Sequence, residues 1–197
     1  MTPTREKKIK EVINNRRKTI VVLEDIHDPH NAAAVMRSCD AFGVYKVCFI
    51  FEKEKHYNPR RVGKVSSASA NKWLEIEVFN STKDCFKKLK RQGYNIIVTA
   101  LDKKATLLSK VNFKNPKTAL VFGNEHRGVS EQAIKLANET VYIPMQGMVQ
   151  SLNISVTAAI CIYEIWSRQS KKMAKNKVFL SKRERMRLLK KWAPKNH

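Results

Sequence analysis

Short, unbroken apolar runs alternate along the chain with segments whose apolar positions recur every three or four residues. The runs at 19–23 (TIVVL), 45–51 (YKVCFIF), 75–79, 95–100 (NIIVTA), 118–122 (TALVF) and 140–143 predict strands. Helices are expected over 4–14, from Asp28 to about Phe42, near 61–71, and over 82–92, 130–137, 151–168 and 181–192. Several ends carry their own signals. Asp28 suits an N-cap and Pro29 the first helical position, Gly43 suits a C-terminal stop, and Ser151 and Ser181 suit caps. Strands that are continuously apolar are buried on both faces. The pattern therefore predicts an α/β fold, a parallel sheet with helices on both faces.

Charge adds a partner to this picture. The chain carries 39 Lys and Arg against 17 Asp and Glu, a formal +22. Residues 1–18 and 168–197 supply +16 of it, which divides the chain into a basic helical extension (1–18), a central domain (19–167) and a basic C-terminal extension (168–197). Basic arms on a milder core point to a polyanion such as RNA, because each phosphate neutralised releases counterions. Cys39, Cys48, Cys85 and Cys161 lie far apart with no C-x-x-C spacing, so they read as reduced core thiols and no metal site is expected. The N-terminal segment has no apolar signal region, and no run reaches the ~18 apolar residues of a membrane span. A cytoplasmic protein without membrane attachment is expected.

The common nucleotide fingerprints are missing. No two of the six glycines are spaced G-x-G, no G-x-x-x-x-G-K-[ST] loop occurs, and the zinc-deaminase pattern is absent. Three other segments, each following a predicted strand, hold the candidate chemistry. In 24–43 (EDIHDPHNAAAVMRSCDAFG), Val35, Cys39 and Phe42 share the core face, while Arg37 lies off it among Ala33, Ala34 and Ala41. Small neighbours leave room for a ligand, and an Arg37–Asp40 surface pair accounts for the same residues equally well. In 121–128 (VFGNEHRG), a strand runs into Gly123, Asn124 and Glu125, at the sheet edge where α/β proteins place ligands. An ordinary left-handed turn fits as well. In 142–165 (YIPMQGMVQSLNISVTAAICIYEI), a Pro144–Gly147 loop leads to Ser151 and Asn153 at the mouth of a helix apolar on nearly every side, the mark of a core or subunit interface.

Taken together, N-x5-R, F-G-N-E-x2-G and I-P-M-x-G-x3-S-L-N-x-S resemble, in order, the three motifs of the SpoU/TrmH branch of the SPOUT methyltransferases. The resemblance implies a deep C-terminal trefoil knot, a homodimer and S-adenosylmethionine as methyl donor. It implies cofactor contacts around Ala100, Leu101, Gly123, Asn124, Ile143, Met148 and Leu152. Catalytic and substrate-binding roles would fall to Asn31, Arg37, Glu125, Ser151 and Asn153. A short basic helix before the domain and a basic tail after it look most like the members that methylate the ribose 2′-hydroxyl of guanosine 18 in the tRNA D-loop. The alternatives are a ribosomal-RNA or other tRNA target, or an RNA-binding protein of the same fold without activity. The resemblance assigns activation of the hydroxyl to Arg37. A guanidinium is a poor base, so it either passes a proton to a tRNA phosphate before accepting one, or stays charged and stabilises the alkoxide. Glu125 is a general-base alternative, although it is expected rather to orient a neighbour. His27, His30 and His126 lie in the same segments without a role the family pattern requires.

Overall fold

The computed structural model describes residues 2–62, 70–102, 104–113, 115–172 and 175–193. The sheet grows outward from β1 (Arg17–Glu24), which pairs in parallel with β2 (Val44–Ile50) on one side and β6 (Thr118–Phe122) on the other. β3 (Glu75–Phe79) continues beyond β2; β4 (Asn95–Thr99), β7 (Glu139–Tyr142) and the two-residue β5 (Thr106–Leu107) continue beyond β6. All these pairings are parallel. The expected strands are present within one or two residues at each end. β5 was missed because two half-buried residues carry no periodicity.

Helices cover both faces. On one, α2 (Pro29–Ala41) and α5 (Ile154–Lys172) pack Val35, Met36, Cys39, Cys161 and Ile165 against Val21, Leu23, Phe49 and Leu120. On the other, α3 (Thr82–Arg91) and α4 (Glu131–Leu136) pack Phe86, Leu89 and Ala133 against Ile20, Val22, Cys48 and Val121. Asp28 caps α2 by accepting from the His30 N–H at 2.8 Å, Pro29 occupies its first turn, and Gly43 ends it at φ 76°. The helix expected near 61–71 lies largely outside the described residues; Ala70–Lys72 form a single 3-10 turn.

One expectation is corrected. Ser151 does not cap α5. Asn153 does, its side-chain oxygen accepting from the Ser155 N–H at 2.8 Å and the Ser155 hydroxyl at 2.6 Å. Ser151-Leu152-Asn153 holds two candidate caps, and Asn153 alone also reaches Asn31 across the site, at 3.1 Å. The helix then runs four residues past the expected end.

The ends of the chain form the expected basic helices, and these pack on the second face. α1 (Pro3–Asn14) and α7 (Lys182–Trp192) bury Ile9, Ile13, Leu188 and Trp192 in the α3-side core, while α6 (Lys175–Val178) leads into buried Leu180. The Leu180 N–H donates to the Arg16 carbonyl at 3.0 Å. Arg16 itself is fully buried. Its guanidinium pairs with the Asp40 carboxylate, donates to the carbonyls of Val44 at 3.0 Å and Trp73 at 2.9 Å, and lies over the Trp192 ring. Asp40 is thus the partner of Arg16 and not of Arg37. Charge marked 1–18 and 168–197 as basic extensions; the apolar positions between the charges are what dock them.

Arg16→Met keeps the volume and removes every donor, taking a partner from the Asp40, Val44 and Trp73 carbonyls and from the Asp40 carboxylate. Urea unfolding should show a loss of about 3 kcal/mol. An unchanged midpoint would mean that the two termini are held without it.

Candidate active site

A cavity of about 990 Å³ opens at the carboxyl ends of β4, β6 and β7. The three sequence segments converge on it. The first turn of α2 contributes His27, Asp28 and Asn31; the turn after β6 contributes residues 122–129; the approach to α5 contributes Ile143, Met145 and residues 150–154. Ala100 and Leu101 close the β4 side.

Hydrogen bonds tie the segments together through one carboxylate. Glu125 accepts from the His27 N–H at 2.9 Å, the Asp28 N–H at 3.2 Å and the Asn31 amide at 2.9 Å. Asn31 in turn accepts from the Asn153 amide at 3.1 Å. Burial opposes the charge on Glu125, but the Asn31 amide and the His27 and Asp28 N–H groups outweigh it and hold the carboxyl below the usual carboxylate range. An anion so fully supplied with donors is a weak base. Its place in the site is to hold α2 and, through Asn31, the cap of α5.

Gly123 and Asn124 also act first on the chain itself. A Cβ on Gly123 would lie 2.2 Å from the Gly128 carbonyl carbon, so glycine is required by the loop folding back on itself. Asn124 and Gly128 exchange backbone hydrogen bonds, both at 2.9 Å. The Asn124 side chain donates to the Asp25 carbonyl at 2.8 Å and accepts from the His126 and Arg127 N–H groups at 2.9 and 3.0 Å. Asp25 has the positive φ of 52° that Asp tolerates better than most residues. Its carboxylate gathers the N–H groups of Glu52, Lys53 and Glu54 at 2.7, 3.0 and 3.2 Å. Sequence reasoning missed Asp25, Glu54 and Arg127. The only available signal was an Asp directly after a strand, which is common.

Of the positions singled out in the sequence, Asn31, Ala100, Leu101, Gly123, Asn124, Glu125, Ile143, Ser151, Leu152 and Asn153 line the cavity. Met148 does not; it is fully exposed on the loop outside. Arg37 is exposed on α2 and is absent from the lining. Six residues past Asn31, it sits about 9 Å further along the axis and points to a different side. Among the described residues it has no hydrogen-bond or ion-pair partner. Also among the described residues, 144–152 make no hydrogen bond to the rest of the protein, so their backbone donors and acceptors remain free beside apolar Ile143, Leu152 and Ala100. That combination suits a flat heteroaromatic ring joined to a polar tail. The described residues include no group of three or more His, Cys, Asp or Glu placed to hold a metal ion, and no helix long and apolar enough to cross a membrane.

The model of the SpoU rRNA Methylase family matches residues 18–163. The chain is 33% identical over 190 residues to a tRNA (guanosine(18)-2'-O)-methyltransferase of Aquifex aeolicus, covering 96% of this chain and 88% of that one. It is 38% identical over 169 residues to the enzyme of the same name from Thermus thermophilus, covering 83% and 82%. The crystal structure of the A. aeolicus TrmH/SpoU tRNA modifying enzyme superposes with a TM-score of 0.86 at 32% identity, covering 96% of this chain and 94% of that one.

The Glu125 network has a pH signature. Its carboxyl is lowered on folding, so its stabilisation is full above the unfolded value and is lost as pH falls through the folded one. The melting-temperature gap between the protein and Glu125→Gln should be widest at about pH 7 and close under acid. A gap constant across that range would remove Glu125 as the anchoring charge.

Proposed function

The chain belongs to the SpoU methylase family, and we propose that it transfers a methyl group from S-adenosylmethionine to a ribose 2′-hydroxyl of tRNA, at guanosine 18. The observation that carries the reading is the convergence of Asn31, Glu125, Ser151 and Asn153 on one cavity beside free backbone groups of the 144–152 loop. S-adenosylmethionine supplies an electrophilic methyl group. The chain's own part is positioning: attack must be in line, and a near-attack arrangement removes much of the barrier. Free backbone groups of 144–152, with apolar Ala100, Leu101, Ile143 and Leu152, suit the cofactor. Ser151, Asn31 and Asn153 offer polar groups for the ribose, and Glu125 keeps the last two oriented.

Arg37 enters this reading through a second subunit. α5 exposes Val156 (46%), Ile160 (38%), Tyr163 (51%) and Trp166 (37%), an apolar stripe that a solvated helix does not carry. Phe42, at the end of α2, packs edge-on against Tyr163, with ring centroids 5.7 Å apart. A homodimer through α5 and α2 covers the stripe and brings Arg37 of one protomer to the other's cavity. There the guanidinium faces the developing alkoxide and stabilises it as a cation. A deep trefoil knot around 144–152 and a cytoplasmic location belong to the same reading.

The choice of tRNA is supported by the relatives' names and by the paired terminal helices. Arg5, Lys7, Lys8 and Lys10 on α1, with Lys182, Arg183 and Lys190 on α7, are exposed on one packed helix pair. Such a surface supplies affinity and register, leaving base choice to the site.

Incubating the protein with labelled S-adenosylmethionine and either tRNA or ribosomal RNA tests the reading. Label should enter tRNA alone. Arg37→Ala should abolish transfer with little change in cofactor affinity, and Arg37→Lys should fail too, since an ammonium cannot copy the planar fork. Near-normal turnover by Arg37→Ala at saturating tRNA would remove Arg37 from the reaction. Label in ribosomal RNA alone would replace the substrate, and cofactor-independent RNA binding with no transfer would leave a non-catalytic RNA-binding protein.

A further inference from the structure

Glu54, His27 and Arg127 form a cluster at the rim of the cavity that the reaction above does not use. Glu54 follows β2, and its side chain is only 16% exposed. It accepts from His27 Nδ1 at 3.0 Å and from Arg127 at 2.6 Å. The two cationic side chains lie outward, 62% and 49% exposed. The carboxylate is therefore beneath and the donors face solvent. Both line the cavity that Asn31 and Asn153 line. The seat is rigid, since Asp25 holds the 52–54 backbone through three N–H groups.

An ion pair that merely fastens the loop needs one cation per carboxylate. Here two cationic side chains share the Glu54 carboxylate, which also accepts from the Asn124 amide at 3.3 Å. The hydrogen bond to Glu54 and its charge draw His27 toward the protonated form, and the Glu125 and Asp28 charges act in the same direction. His126 stands edge-on to His27 at 6.0 Å between centroids, and Arg127 is the remaining charged neighbour.

We propose that His27 and Arg127, seated on Glu54, bind one backbone phosphate of the RNA beside the target ribose and so position that ribose at Asn31 and Asn153. The proposal rests on the reading of the cavity as an RNA methyltransferase site. The partner it names is a phosphodiester, which suits a forked guanidinium next to an imidazolium. Both groups are positioning residues, remote from the transferred methyl.

The test uses the full-length protein and His27→Gln, Arg127→Gln and the double variant, with initial rates of methyl transfer measured against tRNA concentration at several salt concentrations. Each single variant should raise the KM for tRNA about five-fold. S-adenosylmethionine affinity should hold. The salt dependence of the double variant should be shallower by about 0.7 in log–log slope, because one phosphate fewer is neutralised on binding. The KM of the unaltered protein should rise as pH increases through the His27 titration, and that of His27→Gln should not. An unchanged KM and salt slope in the double variant, even with a lower melting temperature, would make the cluster a loop fastener and overturn the proposal. If the unaltered protein transfers no methyl to tRNA, the reading of function fails instead. Direct tRNA binding by the same variants then decides the rim by itself.

Discussion

The site depends on where the Glu125 carboxylate stands. It follows a strand that ends at Gly123, in a loop so tight that a single added carbon would overlap the Gly128 backbone. From there it collects two N–H groups and one amide from the start of α2, and Asn31 hands the chain on to Asn153, the cap of α5. Three segments nearly a hundred residues apart in places are thereby brought into register at one edge of the sheet. The same bonds that orient the polar groups hold the Glu125 carboxyl below the usual carboxylate range and so make it a weak base.

The rest of the molecule makes that edge rigid. β1 pairs on both sides and is buried almost throughout, so its carboxyl end delivers Asp25 to a fixed place. Asp25 then holds the 52–54 backbone and, through its carbonyl, Asn124. At the opposite end of β1, Arg16 joins α2, β2, Trp73 and Trp192 around one guanidinium. The basic helices α1 and α7 consequently sit toward the end of the sheet away from the cavity. At about 3.3 Å per residue, the eight-residue β1 itself spans about 26 Å. A tRNA held on that helix pair has to reach well beyond it to present a ribose to a cavity.

Much of this was legible in the residues. Asp28, Pro29 and Gly43 marked the ends of α2 because caps are local chemistry, and buried parallel strands announce themselves as unbroken apolar runs. The resemblance pointed to ten of the residues that line the cavity, eight of them inside the three motifs. What stayed hidden is long-range pairing. Arg16 and Arg17 read as part of a basic arm, and both are buried; nothing in a charge pattern says which guanidinium will find partners on distant elements. Glu54 and Asp25 are ordinary residues until the loop folds. Arg37 was named by its motif and lies on the exposed side of α2, away from the cavity lining. Met148 was named the same way and lies outside the cavity, because motif spacing fixes a backbone position and not the direction of a side chain in a loop.

The claim that one hydrogen-bonded chain assembles the site can be measured as a coupling energy. Glu125→Gln, Asn153→Ala and the double variant, compared by kcat/KM for methyl transfer at saturating S-adenosylmethionine, form a cycle between residues joined through Asn31. If the three residues act as a unit, either single variant already breaks the chain. The double variant should then be scarcely worse than the poorer single, a non-additivity of at least about 1 kcal/mol. Losses that simply add would mean that Glu125 and Asn153 act independently, and the account of how the site is built would be wrong.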